Sequence, residues 1–183
     1  MMDIMLDPAI GLLVVACLAL LFASAALHKL RDLGRFAELL GAYRVLPAGA
    51  ERLAALIPVL ELAVAAGLLA TPARAFAAAV GVALLLGYAA AIAVNLARGR
   101  RDLDCGCGAG DATRPIAPWM VTRNLVLALA LAATLVPWQL RPLLPTDALT
   151  VGAGLAIATL LYGCLDRLLG RLAPRTAVLR GPR

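Results

Sequence analysis

Charge is scarce in this chain, and the scarcity decides its class. Of 183 residues only 15% are Asp, Glu, Lys or Arg, 63% are hydrophobic, and mean hydropathy is +0.91. A soluble domain of this length carries more charge and shorter apolar runs, so the composition points to an integral membrane protein with no room for a soluble domain. His28 is the sole histidine and Lys29 the sole lysine. With one histidine and no second pair of close cysteines, nothing completes a tetrahedral zinc set. The formal charge of +6 comes from basic residues that flank apolar runs, not from a basic stripe, so no nucleic acid is expected as a partner. Repeats are absent too, beyond an Ala/Leu bias that, with the Arg excess, suggests a GC-rich bacterial genome.

What the chain has in quantity is apolar length. Five runs approach the ~20 helical residues that cross a bilayer. They lie at residues 9–27, 53–70, 75–97, 119–140 and 148–165, the second and fifth being the shortest. The fold class expected is all-α, a polytopic transmembrane helical bundle. The first run is preceded by Asp3 and Asp7 with no Lys or Arg, has no small-residue cleavage site after it, and ends in His28-Lys29-Leu30-Arg31. It therefore reads as an anchor that stays in the protein, not as a signal peptide.

Basic residues set the expected orientation. Lys29, Arg31, Arg35, Arg44 and Arg52 follow the first span, Arg98, Arg100, Arg101 and Arg114 the third, and Arg167 to Arg183 the last. Only Arg74 and Arg141 fall on the opposite side. Five spans put every crowded loop on one face, with the N-terminus outside and the C-terminus in the cytoplasm of a bacterial inner membrane.

Between the first two spans, Phe36, Leu39, Leu40 and Tyr43 recur at helical spacing, which predicts a short amphipathic helix at the interface or packed on the bundle. Thr71-Pro72 predicts a tight outer turn and an antiparallel hairpin. Small-residue faces at residues 83–87 and 152–156 would let helices approach closely. Trp119, Trp138 and Tyr162 fall near span ends, where amphipathic rings collect.

The chemistry concentrates in Asp102-Leu103-Asp104-Cys105-Gly106-Cys107-Gly108, a polar loop between the third and fourth spans. Glycines on both sides free the backbone for the tight geometry that pairing two such close sulfurs demands. A disulfide across one residue would be strained, hence readily reduced or a good oxidant. Asp102 and Asp104 oppose thiolate formation, and Arg98, Arg100 and Arg101 favour it. The same thiolates could instead grip a soft metal, Cu(I) or Hg(II), with His28 on the same membrane face as a third ligand. Cys17 and Cys164 read as small core hydrophobes.

Polar residues at membrane depth need partners. Glu61 lies eight residues into the second span, Asn95 ends the third, and Arg123 with Asn124 opens the fourth. Pairing of Glu61 with Arg123 or Lys29 is expected. If Glu61, Tyr88, Asn95 and Asn124 converge, they form a polar pocket suited to the head of a lipid-soluble carrier such as a quinone.

In this order several runs carry a resemblance: Ala26-Leu27-His28-Lys29-Leu30-Arg31-Asp32, Ala42-Tyr43-Arg44-Val45-Leu46-Pro47, Pro58-Val59-Leu60-Glu61-Leu62, Asp104-Cys105-Gly106-Cys107-Gly108 and Arg123-Asn124-Leu125. The chain resembles the MauE family of methylamine utilisation membrane proteins, related to DoxX-like four-helix proteins. The resemblance implies a four-helix domain over residues 1–140. Residues 141–183 would add a fifth helix and a basic cytoplasmic tail. It also implies a role in producing the small, disulfide-rich subunit of periplasmic methylamine dehydrogenase, beside a thioredoxin-like partner. Cys105 and Cys107 carry over as the exchanging pair; His28, Glu61, Asn95, Arg123 and Asn124 match as supporting residues.

Three readings of function stand at this stage. The first is a thiol-disulfide redox protein, in effect an oxidoreductase, that helps exported disulfide-rich proteins mature. The second is a soft-metal-binding transporter, and the third a non-catalytic assembly subunit. Charge bias puts the cysteine loop in the reducing cytoplasm, whereas the implied client is periplasmic. Either electrons cross the membrane through the bundle, or the orientation is reversed.

Overall fold

The computed structural model describes residues 5–45, 47, 49, 52, 54–103 and 115–172. Six helices account for most of them: α1 (Pro8–Arg31), α2 (Leu33–Tyr43), α3 (Leu56–Leu69), α4 (Arg74–Ala97), α5 (Pro118–Ala133) and α6 (Pro145–Leu172). No strand occurs among the described residues beyond a lone parallel bridge between Leu6 and Trp138. The protein is an all-helical membrane bundle. Its outward surfaces carry the large apolar side chains that lipid requires, among them Phe76, Leu129, Leu149 and Leu160, all more than two-thirds exposed.

Three helices are long and apolar enough to cross a bilayer by themselves: Pro8–Arg31, Thr71–Ala97 and Pro145–Leu165. The other two expected spans are shorter apolar helices, Leu56–Leu69 and Pro118–Ala133. The fourth run therefore stops well before residue 140, and its end is built for stopping. Thr134 Oγ1 donates back to Leu131 O at 2.7 Å. Pro137 has no N–H to continue a helix. The chain then turns back, so that Leu6 N–H donates to Pro137 O and Gln139 N–H to Leu6 O, both at 2.9 Å. The second run starts at Leu56, three residues later than expected, after a turn at residues 54 and 55. The Thr71-Pro72 turn is present as one turn of 3₁₀ helix, Thr71–Ala73, joining α3 to antiparallel α4.

Small residues set how closely the helices meet. Gly81 stands at the crossing of four helices. A Cβ there would lie 2.7 Å from Leu131 Cδ2, 3.1 Å from Val64 Cγ1 and 3.3 Å from Phe22 Cε2. Around it, Val15, Leu18, Phe22, Leu68, Leu85 and Leu131 form the buried core. Gly154 admits Leu13 of α1 in the same way, which seats α6. The expected small face at residues 83–87 does something else: Ala83 and Gly87 are exposed, and a Cβ at Gly87 would meet nothing within 4 Å. That face lines a groove instead of a helix contact.

One end of the bundle is closed by a charge cluster around Arg141. Asp7 caps α1 through Ala9 N–H at 2.9 Å. Its two carboxylate oxygens accept from Arg141 Nη2 and Nε at 3.0 Å each. Arg141 Nη1 reaches Asp147 in the first turn of α6 at 2.7 Å. The guanidinium hydrogen bond holds the Asp7 carboxyl below its ordinary value of 3.8, and the Ala9 N–H adds to this.

Two predictions follow from this packing. Gly81→Ala should destabilise the protein by about 1–3 kcal/mol, as overpacked cores do, whereas Gly87→Ala should be neutral or gain up to ~1 kcal/mol of helix propensity; thermal unfolding in a fixed detergent compares them. A carboxyl whose folded pKa is depressed stabilises above its unfolded value and loses that contribution as pH falls through the folded one. Asp7→Asn, which keeps the cap but not the charge, should therefore lower the melting temperature at pH 7. Its difference from wild type should vanish as the pH drops below 3.8.

Candidate functional site

At the opposite end of α1 the last two turns carry a cation into the bundle. Lys29 is 6% exposed and Glu61, on α3, is 1% exposed. Lys29 Nζ donates to Glu61 Oε1 at 2.5 Å, and Tyr88 Oη on α4 donates to the same oxygen at 2.7 Å. Three helices thus converge on one carboxylate oxygen. The ammonium also lies 5.0 Å from the centre of the Tyr88 ring and 5.6 Å from that of Phe36 on α2, within cation–π range. Of the two partners expected for Glu61, the structure selects Lys29. The second oxygen, Oε2, is buried and has no hydrogen bond among the described residues.

Above this pair lies a groove of about 580 Å³ between α2 and the α3–α4 hairpin. Phe36, Leu39, Leu40 and Tyr43 form its α2 wall, so the amphipathic helix expected from their spacing turns that face onto the bundle. Ala83, Gly87, Ala90 and Ala91 form its α4 wall, and Lys29 and Tyr88 supply its polar atoms.

The end of α4 secures α2 by the carbonyls a helix leaves unsatisfied at its C-terminus. Asn95, fully buried, donates from Nδ2 to Tyr43 O and to Ala91 O, both at 3.0 Å. Arg98 Nη1 donates to Arg44 O at 3.1 Å, where Arg44 takes the left-handed conformation (φ 48) that ends α2. Arg100 Nη1 in turn donates to Asn95 Oδ1 at 3.1 Å. Asn95 is therefore a structural clamp on α2, not part of the Glu61 hydrogen bonds.

The remaining expected residues separate in the same way. Asn124 is buried on α5, its Nδ2 without a partner among the described residues, on the helix face that also carries Met120, Ala128 and Leu131 toward α4. Arg123, half-buried, lies over the Trp119 ring at 5.4 Å. Neither hydrogen-bonds to Glu61, so the full convergence of Glu61, Tyr88, Asn95 and Asn124 is not found; Glu61 and Tyr88 meet, with Lys29 as the third member. His28 is half-buried at the end of α1, beside the pair in sequence. Cys105 and Cys107 lie outside the described residues. The base of their loop is described: Ile116 N–H donates to Leu103 O at 2.9 Å. Ile116 is buried with Tyr43, Ile92 and Met120, and Leu103 packs against them. The loop is thus rooted at the groove end of the bundle. Cys17 is half-buried in α1, while Cys164 is exposed on α6 instead of in the core, because α6 packs on α1 along one side only.

Sequence reasoning missed the Arg141 cluster. A proline at the first helical position directly after an aspartate marks the α1 cap. Arg141, one of only two arginines on its side of the bundle, was the signal for a partner.

The family described as "Methylamine utilisation protein MauE" matches residues 7–138. The chain is 44% identical over 180 residues to the methylamine utilization protein MauE of Paracoccus denitrificans, covering 97% of this chain and 96% of that one. It is 41% identical over 185 residues to the protein of that name from Paracoccus versutus, covering 99% and 100%. To the one from Methylophilus methylotrophus it is 35% identical over 167 residues, covering 90% and 88%. No solved structure matches. The chain belongs to the MauE family. The family match covers the first four spans, α1 to α5, and the alignment with the Paracoccus versutus protein takes in α6 as well.

Removing one partner of a buried pair leaves an uncompensated charge, at a cost of about 3–5 kcal/mol. Glu61→Ala should lower stability by that order, and Lys29→Met in the same chain should restore much of it. Tyr88→Phe, which removes one bond to a charged acceptor, should cost about 1.5–3 kcal/mol. Thermal unfolding of the single and double variants reads all three.

Proposed function

We propose that this member of the MauE family is an integral membrane thiol-disulfide redox protein. In this reading it serves methylamine utilisation, as its relatives' names state of them, by helping exported disulfide-rich proteins mature. The observation that carries the reading is the Asp104-Cys105-Gly106-Cys107-Gly108 run between α4 and α5. Two thiols one residue apart, on a loop whose base is tied by the Leu103–Ile116 hydrogen bond, suit exchange with a partner that approaches along the membrane surface.

In mechanism, a thiolate of the partner attacks one sulfur of the Cys105–Cys107 disulfide. A mixed disulfide forms as the other cysteine leaves as a thiolate, and a second thiolate of the partner then attacks the mixed disulfide, releasing an oxidised partner and a reduced pair. A thioredoxin-like protein and an exported disulfide-rich client are the two partners this chemistry asks for. The aspartates at residues 102 and 104 and the arginines at 98, 100 and 101 set the thiolate fraction by opposed charge. The rigid end of α4, fixed by Asn95 and Arg98, holds the root of the loop while its tip reacts.

The test is a trap. In cells carrying Cys107→Ser, Cys105 should accumulate as a mixed disulfide with a thioredoxin-like or exported protein, visible on non-reducing gels and lost in the double Cys→Ser variant. Client maturation should fail in both. Full maturation with the double variant would sink the redox reading in favour of an assembly subunit, and stoichiometric co-purified metal would turn it toward a soft-metal carrier. Labelling Cys107 in intact cells with a membrane-impermeant thiol reagent reports the side of the loop. Labelling before lysis would put the pair where an exported client reaches it directly; no labelling, the outcome expected from the charge bias, would leave direct exchange to a cytoplasmic thioredoxin-like partner and require electrons to cross the bundle to the client.

A further inference from the structure

An ammonium has three N–H donors. Lys29 gives one to Glu61 Oε1, and no other oxygen among the described residues accepts from it. Its remaining contacts are the faces of Phe36 and Tyr88. The side chain is 6% exposed, so bulk water does not serve those donors, yet it forms part of the groove wall. A buried donor without an acceptor is costly. Among the described residues the spare ammonium hydrogens thus have no acceptor, while Glu61 Oε2 has no donor, and the groove that Lys29 lines is where an acceptor for the ammonium would come from.

The charge balance narrows its chemistry. Glu61 already neutralises Lys29, so an anionic head group such as a phosphate or a fatty-acid carboxylate would bring an uncompensated negative charge into a buried site. A neutral carbonyl oxygen would not. The shape narrows it further. The volume of about 580 Å³ falls within the range of ~300–1,000 Å³ of small-molecule sites. The aromatic rings of Phe36 and Tyr43 stand on the α2 wall, with Tyr88 on the other. Opposite α2, a Cβ added at Gly87 would touch nothing within 4 Å, which leaves room for a flat ring. Leu60 and Val94 on the lining are exposed at the lipid-facing surface, an opening that suits a ligand arriving through the bilayer.

We propose that this groove binds a neutral quinone-class ring, whose carbonyl oxygen accepts from Lys29 Nζ and whose apolar tail runs out past the exposed rim. The proposal deepens the thiol-exchange reading by naming an electron acceptor. Oxidising two thiols to one disulfide releases two electrons and two protons, and reducing one quinone to its quinol takes up the same two of each. Because the test below measures binding, it fails or succeeds separately from the cysteine trap.

The full chain, purified in detergent micelles, is titrated with decylubiquinone by isothermal calorimetry. Saturable one-to-one binding is expected. Gly87→Leu combined with Ala83→Phe fills the groove without entering the core and should weaken binding about tenfold or more with melting temperature held. Lys29→Gln with Glu61→Gln removes both charges together and should also weaken it, leaving the groove open. If that double variant does not fold, the groove-filling one decides. Absence of saturable binding to wild type would overturn the proposal, as would unchanged affinity in the groove-filling variant. Displacement by phosphatidylglycerol or oleate as effectively as by quinone would overturn it too, making the groove a slot for acyl chains.

Discussion

A carboxylate can be kept inside a bilayer only if a cation is brought to it, and the Lys29–Glu61 pair is where this protein meets that condition. The requirement acts on three helices at once. α1 must end at a depth that delivers Lys29, α3 must face Glu61 inward, and α4 must rotate to present Tyr88 to the same oxygen. Slippage of any one by a residue would strand a charge in an apolar medium. Apolar contacts between Leu and Ala tolerate such slips; the pair does not. It supplies register where the hydrophobic surface, uniform on all sides, supplies little.

The two ends of the bundle are built to different plans. At the Arg141 end, Asp7 and Asp147 hold the Arg141 guanidinium, the Trp138 ring fills the space that a side chain at Gly11 would take, and Arg74 stacks over that ring at 4.6 Å. At the other end, hydrogen bonds run from side chains to helix-end carbonyls, and the space between α2 and α4 is left open. The cysteine run is rooted at the open end.

The architecture was legible because hydropathy reports burial in lipid directly. Five apolar runs gave five apolar helices, and the Phe36–Tyr43 spacing gave α2. Helix ends were less legible, since residues 134–140 carry no charge and include Leu135, Val136, Trp138 and Leu140, which extend the apolar run. Only Pro137 and the bridge of Leu6 to Trp138, a contact far apart in sequence, show why the helix stops. Glu61 was recognisable as needing a cation, but the choice of Lys29 over Arg123 depends on how α1, α3 and α5 rotate, which a hydrophobic pattern without a polar face does not encode. The small residues at 83–87 show the same limit: sequence marks a face as small, and only the fold tells whether a helix or a groove meets it.

The shortness of α3 and α5 has a consequence for the surrounding lipid. Helices of 14 and 16 residues rise only about 21 and 24 Å at 1.5 Å per residue, less than the ~30 Å of a hydrocarbon core. They stand beside α1 and α4, which are long enough to span it. Each packs on both α1 and α4 but not on the other, so acyl chains beside each must compress or tilt to cover it, and the membrane is drawn thin at two separate places on the perimeter. There the two aqueous faces approach each other more closely than beside α1 or α4.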